Sequence, residues 1–524
     1  MQQISGSVTK NSGFSRCLSV ASIWWLWFKN RPVISSTTAA LFLLILSSFC
    51  INTSKLSLDN FKNQTRITIQ KEQNSLKRIE FPLNCTSFTN QTKFCPTNYP
   101  STFESNNFDP VDQSSSSVCP DYFRWIHEDL RPWSATGITR DMVERANRTA
   151  HFRLVIVKGK AYVEKYKKSI QTRDLFTIWG ILQLLRRYPG KLPDLELMFD
   201  CNDRPVVQTR LYRGPNVTQS PPPLFRYCGD KRTMDIVFPD WSFWGWADIN
   251  IKPWENLLKE IKQGNEKIKW MEREPYAYWK GNPNVAVRRR DLLKCNVSET
   301  QDWNARLFNQ DWDLETKQGY KHSNLANQCS YRYKIYIEGW AWSVSEKYIL
   351  SCDSVTLLVK QQFYDFFTRS LQPLRHYWPI RDDDKCRSIK FAVDWGNSHK
   401  EKAQAIAKAA SDLVHEEVKM DYVYDYMFHL LNEYSKLLKF KPTVPEGAVE
   451  LCPETMACPA EGLQKKFMKE SLVKSPAATP PCTMPPPYKP KILKNILSSN
   501  LRSIRKVEKW ENEYWESMSK QQQG

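Results

Sequence analysis

The chain lacks the short signatures that settle function in many proteins. No Cys-x-x-Cys pair occurs, so redox pairs and ordinary zinc sites lose their ligand spacing. No P-loop and no serine-hydrolase pattern is present. No zinc-finger spacing or RNA-binding aromatic motif accompanies the net charge of +19. That basic excess therefore points away from nucleic acid and toward anionic ligands, such as nucleotide phosphates, acidic glycans or anionic membranes. There is no internal repeat. Only one run of membrane-spanning length is free of charge, residues 32–51.

That run carries the first positive statement. About 20 apolar residues are what one helix needs to cross a bilayer. Lys10, Arg16, Lys29 and Arg31 precede it, and basic flanks stay cytoplasmic. Seven N-glycosylation sequons, at Asn52, Asn63, Asn84, Asn90, Asn147, Asn216 and Asn296, all follow it. The layout predicts a single-pass type II membrane protein: a cytosolic leader at 1–31, an anchor at 32–51, and a lumenal remainder. The alternative is a cleaved signal peptide, for which Ser47, Ser48 and Cys50 are small enough. Of 14 cysteines, the 12 beyond the anchor form an even set, as disulfides in an oxidising compartment require.

Residues 52–118 are rich in Asn, Ser and Thr and read as a stem. Strands and helices alternate from Cys119 onward. A hairpin is expected over 154–163, a helix over 173–187, and strands at 195–199, 235–238, 276–279, 333–337 and 355–359. Helices are expected at 256–270, from Arg289, and over 344–350, 398–419 and 422–438. Such alternation predicts an α/β fold with parallel sheet, divided into halves at 119–255 and 256–440. Residues 441–524 are rich in Cys and Pro, which argues against a packed domain, although a last charged helix is expected over 492–518.

Four segments can carry chemistry. At 192–205 an apolar strand runs into the acidic turn Asp200-Cys201-Asn202-Asp203. Ligands in open α/β sheets bind beyond such strand ends, and an ionised Asp there can take a proton from a hydroxyl. The alternative is that Asp203 only caps a turn before Pro205. At 333–346 a strand leads into Ser343 and Glu346, which have capping-box spacing, and a helix tip there would offer N–H groups to a phosphate. An ordinary capped helix would read the same way. Trp279-Lys280-Gly281-Asn282 precedes Arg288-Arg289-Arg290, where a guanidinium can clamp a diphosphate, or simply face solvent. Trp241, Trp244, Trp246 and Trp254, mixed with Asp, Asn and Lys, fit either a carbohydrate or peptide platform or plain core. Asp311-Trp312-Asp313 has the Asp-x-Asp form of some metal-bound nucleotide-sugar sites, but no strand is read as leading into it; Asp382-Asp383-Asp384 reads as a solvated loop.

Taken together these segments resemble the CAP10 family of glycosyltransferases, which contains the Rumi-type protein O-glucosyltransferases. The resemblance covers 119–438. It rests on Thr172-Arg173-Asp174, on 192–205, on Trp241-Ser242-Phe243-Trp244, on Trp279-Lys280-Gly281-Asn282, on Cys329-Ser330-Tyr331-Arg332-Tyr333-Lys334 and on 339–347, in matching order. An N-terminal anchor with a Cys- and Pro-rich tail is the style of the plant members. The resemblance implies a GT-B-like arrangement, two Rossmann-like domains facing a cleft, with a UDP-sugar as donor and no essential metal or other cofactor. It implies Asp203 as the catalytic base of an inverting transfer. Asn282 and Arg289 would contact the nucleotide sugar, with Ala341, Trp342, Ser343 and Val344 wrapping it. Arg173 and the stretch Ile251, Lys252, Pro253, Trp254 would face the acceptor. Departures at Asn202, Lys280 and Ser345, where the Rumi-type enzymes carry Arg, leave glucose and xylose both open as the donor sugar. The acceptor, a protein domain or a wall polysaccharide, is open as well. The ending Gln521 to Gly524 is no KDEL-like signal, so Golgi is favoured over endoplasmic reticulum. The rival expectation is a non-catalytic lumenal carbohydrate-binding protein that keeps the fold.

Overall fold

The computed structural model describes residues 80–85, 95, 117–214 and 219–523. Two sheets organise them. The first contains β1 (Phe152–Val157), β2 (Lys160–Lys165), β3 (Leu195–Phe199), β4 (Leu224–Arg226), β6 (Ile236–Val237) and, from far along the chain, β13 (Val449–Leu451). The second contains β7 (Glu274–Gly281), β8 (Ala305–Asn309), β9 (Tyr331–Tyr336), β10 (Val355–Val359) and β12 (Trp378–Ile380). Two short strands, β5 (Gly229–Asp230) and β11 (Phe363–Tyr364), pair with each other and tie the two regions together.

The second sheet, in order β12-β10-β9-β7-β8, is parallel throughout. The first is mixed. In the order β13-β2-β1-β3-β4-β6, the strands from β13 to β3 pair antiparallel, and only β3, β4 and β6 run parallel. The antiparallel part begins with the expected hairpin. Val157 pairs with Lys160 across a two-residue turn in which Lys158 and Gly159 have φ of 50° and 73°. Positive φ at both turn positions matches the twist of the flanking strands.

The helix Arg173–Arg187 packs its buried side, Phe176, Trp179 and Leu184 among others, into the first core. Gly180 lies mid-helix because the ring of Trp244 crosses there; an added Cβ would come 2.5 Å from it. Three of the four Trp at 241–254 are therefore core: Trp241, Trp244 and Trp254 are buried, and only Trp246 reaches the surface in part. The helix Met420–Leu437 also belongs to the first core, with Tyr434 donating to Glu196 O at 3.0 Å. Its sequence position, inside the expected second half, did not indicate this. The helix Lys400–Glu417 bridges both: Ala403 and Ile406 pack in the second core, Ala410 and Val414 in the first.

The tail corrects the expectation of an unpacked segment. β13 completes the edge of the first sheet, and the helix Pro490–Gln523 inserts Val507 into the second core. Disulfides Cys85–Cys458, Cys95–Cys452 and Cys119–Cys482 fasten it to the start of the described region. Prolines open the helices Pro453–Ala457 and Pro490–Gln523, where a missing N–H is no loss, and they do not prevent packing when covalent links fix the segment. Cys295–Cys386 and Cys329–Cys352 lie within the second region. Cys201 and Cys228 are free and buried.

The leader, the anchor at 32–51 and nearly all of the stem fall outside the described residues, as do Asn52, Asn63, Asn90 and Asn216. Among the described residues no helix is long and apolar enough to cross a membrane. Asn84 and Asn147 are exposed. Asn296 is half-buried, and its amide both donates to Leu307 O (3.3 Å) and accepts from Leu307 N (2.9 Å). Its acceptor nitrogen is already engaged, which argues against a glycan there.

Candidate active site

β3 is buried at all five positions, and the chain leaving its carboxyl end turns sharply at Asp200. Asp200 accepts from Asn202 N at 3.0 Å and lies 3.1 Å from His151 Nδ1. Burial acts to raise its pKa, but His151 and the charge of Arg226 outweigh that and hold it below the ordinary carboxylate value. The turn delivers Asp203 to the edge of the first half. Arg173 Nη1 donates to its Oδ1 at 2.6 Å, while Oδ2 takes no hydrogen bond from the described residues. The Asp203 side chain keeps 25% of its exposure. One oxygen is thus oriented and the other can reach a hydroxyl.

Arg173 was expected on the acceptor side. It is buried instead, 4.5 Å over the Trp241 ring, and donates to Cys201 O at 3.3 Å as well as to Asp203. Its visible work is to orient the carboxylate. The acceptor stretch is displaced in the same sense. Ile251, Pro253 and Trp254 are buried, and the Trp254 indole donates to Val418 O at 2.8 Å. Lys252 is the only half-exposed side chain of the four, and it pairs with Glu260 at 2.6 Å.

The loops after β7 and β9 build the segments that meet this turn. Asn282 follows β7 and uses its side-chain oxygen to accept from Asn284 N at 2.9 Å. Arg289, on the short helix Val287–Leu292, is buried with no carboxylate partner among the described residues. Its nitrogens donate to the carbonyls of Asn282 (3.4 Å), Ile337 (3.1 Å) and Glu338 (3.2 Å). Burial pulls its pKa down to about 10, and the like charge of Arg288 adds to that. It stays cationic at neutral pH, as a diphosphate clamp must. A Cβ at Gly339 would lie 3.5 Å from its Nη2, so the backbone of the 339–344 segment runs directly past the guanidinium.

That segment meets the base turn. Arg204, next to Asp203, donates from Nε to Trp340 O at 2.9 Å and stacks 3.9 Å from the Trp340 ring. Trp342 lies 5.7 Å from Tyr227 and 6.2 Å from Trp241, ring to ring, and Ala341 is fully buried beside them. Below the seam, Lys347 donates to Asp240 at 2.8 Å in a buried ion pair, and Tyr348 donates to Ser242 at 2.9 Å. Asp203 and the 339–344 segment are thus neighbours.

The helix tip differs from its expected form. The helix spans only Ser345–Leu350, with Val344 at its start and no side-chain cap. Ser343 N donates to the Tyr336 hydroxyl at 3.0 Å, and Ser343 Oγ bonds to Ser345 Oγ. Glu346 closes no capping box. It is buried, accepts from Gln361 at 2.6 Å, and is driven well above the usual carboxyl range by burial and then by Asp365. Positive charge at this wall comes mainly from Arg289, and less from the peptide dipoles than the sequence implied.

The acidic decoys have structural roles. β8 does lead toward Asp311, contrary to expectation, but Asp311 caps the following helix by accepting from Leu314 N at 3.0 Å. Asp382 pairs with Arg288 (2.9 Å) and Lys385 (3.0 Å). Among the described residues, the one group of ligand atoms close enough to share a metal ion is Cys119, His429 and Cys482, whose cysteines are joined as a disulfide. A cavity of about 480 Å³ opens between Arg381, Arg387 and Trp515, and no expected site residue lines it.

Sequence reasoning missed Arg204, Arg226, Asp240 and Lys347. Arg226 had a signal: a charge inside the apolar strand Leu224-Phe225-Arg226 must have buried partners.

Comparison with known proteins identifies the family. The family model described as Glycosyl transferase family 90 matches residues 114–511. Protein O-glucosyltransferase 1 of Bos taurus is 26% identical over 369 residues, covering 67% of this chain and 88% of the relative. O-glucosyltransferase rumi of Drosophila melanogaster is 22% identical over 361 residues, 66% of this chain and 83% of the relative. Protein O-glucosyltransferase 2 of Danio rerio is 26% identical over 341 residues, 63% and 65%.

Proposed function

This chain belongs to glycosyl transferase family 90, and from that membership we propose that it transfers glucose or xylose from a UDP-sugar to a hydroxyl group of a protein acceptor, with inversion. A wall polysaccharide is the other acceptor class in view. The observation that carries the reading is the free Oδ2 of Asp203 at the seam with the 339–344 segment. Asp203 takes the proton of the acceptor hydroxyl. The oxygen attacks the anomeric carbon from the side opposite UDP, the bond from that carbon to the β-phosphate oxygen breaks, and UDP leaves. Arg289 offsets the charge that grows on the leaving diphosphate, which is often a large term in such transfers. In this reading the two sheets are the two Rossmann-like domains of a GT-B-like enzyme.

Asp203→Asn keeps the shape and removes the base. Transfer should fall about 10²–10⁴-fold while UDP affinity stays within about twofold, read by product mass and by calorimetry. Wild-type turnover in the variant would remove Asp203 from the mechanism. We read the reaction as metal-independent, so activity should survive EDTA; its loss would revive Asp311 and Asp313. We place the enzyme in the Golgi or endoplasmic reticulum membrane, anchored through 32–51 with its catalytic part lumenal. The five disulfides and the exposed Asn147 support an oxidising lumen. Protease protection in sealed microsomes, with a glycosidase mobility shift, checks the topology. A donor panel with an inert outcome for every UDP-sugar would leave the carbohydrate-binding alternative.

A further inference from the structure

Asp203 lies on an irregular turn, yet the backbone on both sides of it is held from the next strand. Arg226 Nη1 donates to Asn202 O at 3.1 Å and also to Arg204 O. The Cys228 thiol donates to Asp203 O at 3.0 Å. Three consecutive carbonyls, 202 to 204, are therefore bound by two side chains of the segment 226–228. Because each peptide unit is planar, fixing the carbonyls of Asn202 and Asp203 fixes the two planes that flank the Asp203 Cα. Its φ and ψ, and the direction in which its side chain leaves, follow from that.

The holding groups are fixed in turn. The Arg226 side chain is fully enclosed, pairing with Asp200 through Nη2 and lying 3.2 Å from Asp235 through Nε. Asp235 accepts from Val206 N (3.1 Å) and Val207 N (2.9 Å), so the far end of the turn is held by the same cluster. Cys228 is buried, and burial drives its thiol well above the ordinary value, so it remains an S–H donor. In an oxidising compartment a free thiol persists only where oxidants cannot reach it.

We infer that Arg226 and Cys228 are positioning residues for the base: they set the backbone of Asp203 and touch no substrate themselves. The inference rests on the transferase reading, and its test has one arm that does not. Lysine at 226 is a point donor without a planar fork and cannot serve Asn202, Arg204 and both carboxylates together. Serine at 228 keeps a donor; alanine does not.

In the full chain, Arg226→Lys should lower kcat about 10–100-fold with the donor KM and UDP affinity within twofold. Cys228→Ala should lower kcat about 3–10-fold, and Cys228→Ser should restore it to within twofold. A folded Arg226→Lys with wild-type kcat, or equal rates for Cys228→Ala and Cys228→Ser, overturns the inference. If Arg226→Lys does not fold, the Cys228 pair decides. Hydrogen exchange provides the independent arm. The amides of Asn202, Asp203, Arg204, Val206 and Val207 should exchange at least tenfold faster in Cys228→Ala than in wild type, while those of β9 are unchanged. Unchanged exchange overturns the inference whatever the activity. A wild type that transfers no sugar but shows the exchange change would sink the transferase reading and leave the bracing intact.

Discussion

Arg226 and Arg289 are both buried, one in each sheet's region, and their surroundings are opposite. Arg226 lies between two carboxylates, Asp200 and Asp235, and its remaining donors hold backbone carbonyls of the base turn. Arg289 has no carboxylate partner among the described residues; three carbonyls receive its N–H groups. Neutral carbonyls satisfy the hydrogen bonds of a guanidinium without cancelling its charge. The first arginine is therefore committed to holding the fold, and the second keeps a net positive charge for an anionic ligand. A buried charge left uncancelled is costly unless something pairs with it, and the diphosphate of the proposed donor is a group that would do so.

The largest test of this contrast removes each arginine in turn. Arg226→Met strands two buried carboxylates and should lower stability by about 3–5 kcal/mol in chemical denaturation. A loss under about 1 kcal/mol would mean that Arg226 is not structurally committed. A titration gives the next largest effect. Burial pushes Asp235 up to about 6, against the pull of Arg226, whereas Arg289 keeps its charge across the neutral range. A carboxyl with a higher pKa folded than unfolded binds more protons when folded. Its contribution to stability is full at low pH and is lost as pH rises from about 4 to about 6. Asp235→Asn cannot titrate, so its stability relative to wild type should improve by about 2 kcal/mol between pH 4 and pH 7. A pH-independent difference would contradict the raised value. The smallest stability effect belongs to Arg289→Met, within about 1 kcal/mol of wild type because no ion pair is broken. UDP affinity should nevertheless fall at least tenfold by calorimetry. Unchanged affinity would erase the distinction between the two arginines.

Local pattern and long-range contact were legible to different degrees. β3 at Leu195–Phe199 and β10 at Val355–Val359 match their expected bounds because each is a continuous buried run ended by polar residues. The helix Arg173–Arg187 also matches, stopped by Tyr188-Pro189-Gly190, with Gly190 at φ 67°. The helix Lys385–Ser398 lies outside the expected helix at 398–419, since its apolar positions are interrupted by Cys386, Asp394 and Gly396. The outer edge of the first sheet is closed by β13, more than 200 residues downstream of the other strands, which no local periodicity can report. In the site, motif positions located Asp203, Arg289 and the 339–344 segment, and the structure brings these together. It could not be read that Arg173 turns toward Asp203, that Trp254 faces the core, or that Ser343 N is taken by Tyr336. Those depend on which side of an element meets its neighbour.

The edge pairing of β13 with β2 also sets a timetable for biosynthesis. The outer edge of β2 is made early, and its partner emerges from the ribosome roughly 300 residues later, about 15–60 s at ordinary elongation rates. Until then the nascent chain carries an open strand margin and three cysteines, Cys85, Cys95 and Cys119, whose mates have not yet been synthesised. Completion of this half therefore comes late in synthesis, and until β13 arrives that margin is open to pairing with another chain.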